Sequence, residues 1–311
     1  MNKWTTKDIP DLHGRVALVT GANSGLGLET TRALAARGAQ VIMACRSLDR
    51  AREAEAEIKK TAPDASVTLV QLDLASLASV RDLAATMQHT HDRLDLLFNN
   101  AGIMAFPRSE TKDGFELLFG TNHLGHFALS GELLPLLLAT PHSRVVTTTS
   151  LARIMGQVQF DDLNRTRSYG RWEAYGQSKR ANLLFAFELQ RRCARVGAST
   201  ISVAAHPGWA NTRLQSASVA ASGSLGDRVA MTAMGPLLGQ SRQMGALPQL
   251  YAGTSPGILG GEVVGPGGFM HMRGSPTIER KVQREDDVRA AARLWEVSVE
   301  LTGVVYAPLL H

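Results

Sequence analysis

Tyr175 and Lys179 stand four residues apart in the segment from Trp172 to Leu183, at the start of a pattern with helical spacing. A helix sets residues i and i+4 one above the other, so the ammonium can approach the phenolic oxygen. A nearby positive charge favours tyrosinate and draws the phenol down from its ordinary pKa of about 10. Such a pair is a proton donor and acceptor usable near neutral pH. Taken alone, Tyr-x-x-x-Lys reads as a half-buried tyrosine beside a solvated lysine, so its weight depends on what else the chain brings to it.

The elements that position this pair begin with the apolar run from Arg15 to Thr20, suited to burial on both faces of a parallel sheet. Gly21-Ala22-Asn23-Ser24-Gly25-Leu26-Gly27 follows at once. Glycines allow a sharp turn and close approach to a pyrophosphate, and a helix opening near Gly25 aims free N–H groups and its positive end at the anion. Between a buried strand and an amphipathic helix through Leu28, Ala33 and Leu34, the turn meets the condition for dinucleotide binding; a plain tight turn is the alternative. The second strand, Gln40 to Cys45, ends at Arg46, 19 residues past Gly27. A carboxylate there would accept from a ribose 2′-OH, whereas an arginine pairs with a 2′-phosphate. NADP(H) is therefore favoured, with Arg50 as a second phosphate partner and a solvated Arg46 as the alternative.

In such sheets ligands lie outside the carboxyl ends of the strands. The third strand, Val67 to Leu72, ends at Asp73-Leu74, which places Asp73 either to reach an adenine amino group or to cap the next helix. The fourth, Leu94 to Phe98, ends at Asn99-Asn100-Ala101-Gly102, placed to line the adenosine ribose. A helix is predicted from Asp113 to Leu138. Asn122 lies inside it between Gly120 and Gly125, a combination unfavourable enough to predict an irregularity or a close backbone contact. The fifth strand, Arg144 to Thr149, closes with Ser150, a hydroxyl at the same rim or simply a turn former. A sixth, Thr200 to Ala205, leads into His206-Pro207-Gly208-Trp209-Ala210-Asn211-Thr212, where His206 reads as a turn residue.

With 311 residues, 44% hydrophobic and 20% charged, the chain has an ordinary globular composition, and no linker divides it. Its net charge of +5 is scattered through helical segments rather than set in a stripe, which argues against nucleic acid and allows only a modest preference for anions. Cys45 and Cys193 have neither metal-ligand spacing nor a disulfide framework. The polar stretch from Met1 to His13 lacks the core of a signal peptide, and no run of about 18 apolar residues offers a membrane anchor. A soluble cytoplasmic protein is expected.

Collected together, these residues resemble the short-chain dehydrogenase/reductase family over nearly the whole chain. Thr20 to Gly27 resembles its cofactor loop, Asp73 its adenine contact, Asn99 to Gly102 its sheet-stabilising motif, and Asn122, Ser150, Tyr175 and Lys179 its catalytic tetrad. The resemblance implies one α/β Rossmann domain, a doubly wound sheet of seven parallel strands with helices on both faces. The cofactor half is 14–150 and the catalytic and substrate half 150–311. It implies hydride transfer between nicotinamide and a carbonyl carbon, with Tyr175 protonating the oxygen and Ser150 bonding to it. Lys179 would hold the nicotinamide ribose, and Asn122 would keep a water in a proton relay. Pro207 and Gly208 would shape the nicotinamide pocket, and Thr212 would bond the carboxamide.

Ser150 and Tyr175 lie 25 residues apart, wider than in the family's simpler members. The insertion from Phe160 to Tyr169, with Leu259 to Glu262 and Gly265-Pro266, resembles the retinol dehydrogenase-like and protochlorophyllide reductase-like branch. That branch implies a bulky apolar substrate, either a carbonyl or alcohol or, alternatively, a conjugated C=C bond. A non-catalytic NADP(H) sensor is a further alternative, against which the intact tetrad argues. Leu214 to Leu247 reads as a lid in which Met231, Met234, Leu237, Leu238 and Met244 either wrap the ligand or pack a helix. Glu262 to Val264 is the predicted last strand and Glu285 to Leu301 the last helix. Family resemblance also implies dimer faces on the helices holding Asn122 and Tyr175.

Overall fold

In the computed structural model of the protein, which describes residues 3–210, 239–280, 282–283 and 286–310, the apolar runs become strands with scarcely an exposed residue. These are β1 (Val16–Thr20), β2 (Gln40–Cys45), β3 (Val67–Gln71), β4 (Leu96–Asn99), β5 (Arg144–Thr148), β6 (Ile201–Ala205), β7 (Val263–Pro266) and β8 (Pro276–Ile278). They form one sheet in the order β3-β2-β1-β4-β5-β6-β7-β8. The first seven are parallel, as expected. β8 is an addition, pairing antiparallel to β7 with Val264 opposite Ile278. A strand of three residues beginning with proline leaves too little alternation to be read in sequence.

The strand order reverses between β1 and β4, so the carboxyl ends of β1, β4, β5 and β6 open onto one rim. Helices α1 (Gly25–Ala35), α2 (Leu48–Thr61) and α3 (Leu77–Thr90) follow the first three strands. The helix expected from Asp113 to Leu138 is broken into α4 (Leu117–Phe119), a π turn (Gly120–Leu124), α5 (Gly125–Glu132) and α6 (Leu134–Ala139). Then come α7 (Arg171–Arg195), α8 (Arg242–Thr254) and α9 (Asp287–Thr302), the last starting two residues later than expected. Two large clusters cover the sheet faces. One contains Leu18, Leu97, Phe127, Phe185, Trp295 and Tyr306, and the other Val19, Met43, Phe98, Val203 and Leu250.

Candidate active site

α7 carries the two residues from which the chemistry was read. Its side chains from Ala174 to Ala186 are all buried, so Tyr175 and Lys179 are held by a core helix rather than on a surface one. Tyr175 is 6% exposed and Lys179 3%. Ser150 ends the extended chain after β5 and opens a 3-10 turn (Leu151–Ile154), where its hydroxyl caps the Ala152 N–H at 3.2 Å. The same hydroxyl hydrogen-bonds the Tyr175 phenol.

The expected pull of Lys179 on Tyr175 is not found. Burial is the dominant influence and raises the Tyr175 pKa above its ordinary value, with the Ser150 bond opposing it. Burial also lowers Lys179 to about 8. Its Nζ donates to the Thr148 carbonyl at 3.1 Å and lies 5.9 Å from the Tyr175 ring centroid. Spacing brought the pair together, but desolvation of each group decides its proton affinity. The phenol is thereby held protonated at neutral pH, the form that donates.

Asn122 sits fully buried in the π turn. Its Oδ1 accepts from the Ile103 N–H and its Nδ2 donates to the Ile103 carbonyl, each at 2.9 Å, pinning the chain beyond Gly102. A Cβ on Gly102 would lie 3.1 Å from Asn122 Oδ1 and 3.3 Å from Lys179 Nζ, so the two polar groups converge on that bare backbone. The flanking glycines have the close contacts expected: a Cβ on Gly125 would sit 2.4 Å from the Leu74 carbonyl oxygen, and one on Gly120 2.5 Å from Thr111.

The first turn fits a pyrophosphate. Gly21 and Gly25 have φ of +65° and +57°, and a Cβ on Gly27 would come 2.4 Å from Gly21 O. Ser24 precedes α1 without using its side chain as a cap, leaving that hydroxyl beside the free N–H groups of Gly25, Leu26 and Gly27. Asn23 and Ala22 direct backbone hydrogen bonds at the Cys45 sulfur, which brings the end of β2 against the loop. Arg46 and Arg50 are exposed there.

Other predicted positions are distributed less simply. Asp73 does not cap α3, a role taken by Ser76; its carboxylate accepts from Ala75 N–H at 3.1 Å and faces Lys112 Nζ at 3.6 Å. The Asn99 side chain turns from the rim to donate to Ser130 at 2.9 Å, while Asn100 Nδ2 donates to Thr20 O at 2.7 Å and ties the loops together. Ala101 N–H donates to the Thr20 hydroxyl at 2.9 Å. Pro207 and Gly208 stand at the end of β6, where Gly208 has φ of +63° and no room for a Cβ beside Met272. Thr212, Met231, Met234, Leu237 and Leu238 lie outside the described residues. Part of the expected lid is scaffold instead. Met244 is half-buried in the first turn of α8, and Gly245 and Ala246 pack α8 inward.

Sequence reasoning missed several buried polar residues. Gln249 accepts from the Thr148 hydroxyl at 2.9 Å and donates to Asn100 Oδ1 at 3.1 Å, joining the ends of β5 and β4. His126 links Thr20 to the Asn122 carbonyl, at 2.9 Å on each side. That carbonyl only accepts, so Nδ1 carries the ring proton and Nε2 takes the Thr20 hydroxyl bond. A buried glutamine on α8 has no local sequence signal; only the spacing of Asn122 and His126, four apart on one helix face, was available to suggest the second.

The arrangement can present a protonated phenol and a serine hydroxyl to one oxygen at the rim, above a desolvated amine and beside a glycine turn with the room and the free N–H groups to take an anion. The family model of short chain dehydrogenases matches residues 15–222. Human retinol dehydrogenase 13 is 39% identical over 94% of this chain and 85% of its own length. A short-chain dehydrogenase/reductase of Armillaria gallica is 40% identical over 90% and 91%. A crystal structure of an uncharacterized protein from Mycobacterium paratuberculosis superposes with a TM-score of 0.80 at 40% identity, covering 98% of this chain and 99% of that one. A Beutenbergia cavernae protein described as an NAD(P)-dependent gluconate 5-dehydrogenase, with bound NADP, gives 0.63 at 26% identity over 81% and 95%.

Proposed function

We propose, since the chain belongs to the short-chain dehydrogenase/reductase family and to its retinol dehydrogenase-like branch, that it is an NADP(H)-dependent oxidoreductase acting on a carbonyl or alcohol of a bulky apolar molecule. The observation carrying this reading is the hydrogen-bonded Ser150–Tyr175 pair above buried Lys179. A nicotinamide cofactor held by the Gly21–Gly27 and Pro207–Gly208 turns would supply or take up the hydride. Tyr175 gives its proton to the substrate oxygen, and its raised pKa keeps that proton in place until negative charge develops. Ser150 donates to the same oxygen, a bond that strengthens as the charge grows. Lys179, protonated below pH about 8, then faces the phenolate left behind across a dry site.

Support for the phosphate preference is Arg46 and Arg50, exposed beside the loop with no carboxylate at the end of β2. Support for an apolar substrate is Trp172, 41% exposed and edge-on to Tyr175, with Ile154 and Met155 exposed just beyond Ser150.

The test follows NADPH and NADH oxidation with a panel of apolar aldehydes and ketones. Wild type should turn over with NADPH, and Tyr175→Phe should lose about 10²- to 10⁴-fold in kcat while still binding NADPH. Arg46→Ser should raise the NADPH KM about tenfold or more and leave that for NADH unchanged. Equal rates with the two cofactors in wild type would remove the phosphate role, and a saturated carbonyl product in place of an alcohol would move the reaction to alkene reduction.

A further inference from the structure

His206, predicted to be a turn residue, is 1% exposed, and its Nδ1 accepts from the Gly208 N–H at 3.1 Å. An N–H donor requires an unprotonated Nδ1, so the neutral ring carries its proton on Nε2, which meets Glu279 Oε1. Gly265 on β7 makes room for this, since a Cβ there would collide with the ring. Glu279, just past β8, accepts at its other oxygen from Arg153 at 2.5 Å. Arg153, in the 3-10 turn after Ser150, is 3% exposed, and its Nη1 donates to the Ser150 carbonyl at 3.2 Å. That carbonyl also takes the Arg153 backbone N–H at 3.0 Å, so both of its lone pairs are used and the Ser150 peptide is fixed.

The chain of bonds is continuous from Gly208 N–H through His206, Glu279 and Arg153 to Ser150 C=O. It joins the loops after β6 and β5 through a carboxylate that belongs to neither. Half-exposed His271 stands 3.6 Å from Glu279 Oε1, the oxygen that His206 meets, and Arg180 opposes the charge of Arg153 from α7. An ion pair this buried is an expensive way merely to hold a fold together, because apolar side chains of similar volume would do so at less cost.

We infer that His206, Glu279 and Arg153 are positioning residues that lock the Ser150 hydroxyl and the Pro207–Gly208 turn into one rigid unit. The carbonyl side and the nicotinamide side of the site then keep a common register. The meaning of the two ends rests on the proposed function; the coupling between them does not.

The coupling is read by backbone amide hydrogen exchange on the full chain without cofactor or substrate. Arg153→Met should speed exchange at Gly208 about tenfold, the loss of one hydrogen bond, with β1 amides unchanged. In reverse, His206→Asn keeps an acceptor near Gly208 but cannot reach Glu279, and should speed exchange at the Arg153 amide by about as much. Arg153→Met in the His206→Asn background should then add nothing at Gly208. Unchanged far-end exchange in either single variant, with β1 protected, overturns the inference; if one variant exposes β1 amides, the other direction decides. With a carbonyl that wild type reduces, Glu279→Gln should lower kcat about tenfold and move the NADPH KM by less than about threefold. A KM effect alone would again overturn it. Failure of wild type to reduce any carbonyl would sink the proposed function and leave the exchange result standing.

Discussion

Lys179 shows how burial rather than proximity sets the chemistry of this site. Its pKa of about 8 lies below the ordinary 10.5, so the native state binds fewer protons than the unfolded chain between those values. Stability therefore rises with pH across that window, and below it the full cost of holding an ammonium in a dry site is present. Lys179→Met should raise Tm at pH 7 by roughly 2 to 6 °C while lowering kcat at least about 100-fold. Thr148 O keeps a donor in the variant, because Asn182 Nδ2 reaches it at 3.0 Å. Differential scanning calorimetry at pH 7 and above pH 10.5 checks the sign, since the gain should vanish at the higher pH. The types and spacing of Tyr175, Lys179 and Ser150 were legible in the sequence. Their proton affinities were not, because desolvation depends on how many other elements close over α7.

At the scale of elements, the π turn carrying Asn122 was foreshadowed by its two glycines, although its form was not. Gly125 is pressed against Leu74 in the loop after β3, so adding a methyl group must push α5 from that loop. Gly125→Ala should destabilise by about 1 to 3 kcal/mol in urea unfolding. Gly257→Ala, with open space around it, is the control and should stay within about 0.5 kcal/mol. Seven strands came within two residues of their predicted bounds because buried parallel strands are continuous apolar runs. β8 escaped, as did the division of the Asp113–Leu138 helix, because neither leaves a period in the sequence. His206, Glu279 and Arg153 are far apart in sequence and meet only through the crossovers, so no local pattern could assemble them.

For the whole molecule, buried neutral histidines tie stability to acidity. Burial holds His123 at about 3 and His126 at about 4, and His206 is lowered as well. Below the ordinary 6.5 the unfolded chain takes up protons that the native state refuses, so stability is full above that value and lost as pH falls towards 4. Each such group contributes a slope of about 1.4 kcal/mol per pH unit. Urea midpoints at pH 7, 6 and 5 should fall with an uptake of about two to three protons. His123→Phe, set among Phe119, Phe127 and Phe185, should remove about one of them. The sheet itself carries a consequence at this scale. Among the described residues β8 is the outermost strand on its side, is only three residues long, and begins with Pro276 opposite Pro266. Proline has no N–H to offer, so this border gives an incoming chain only a short ladder to extend, which disfavours edge-to-edge growth from it.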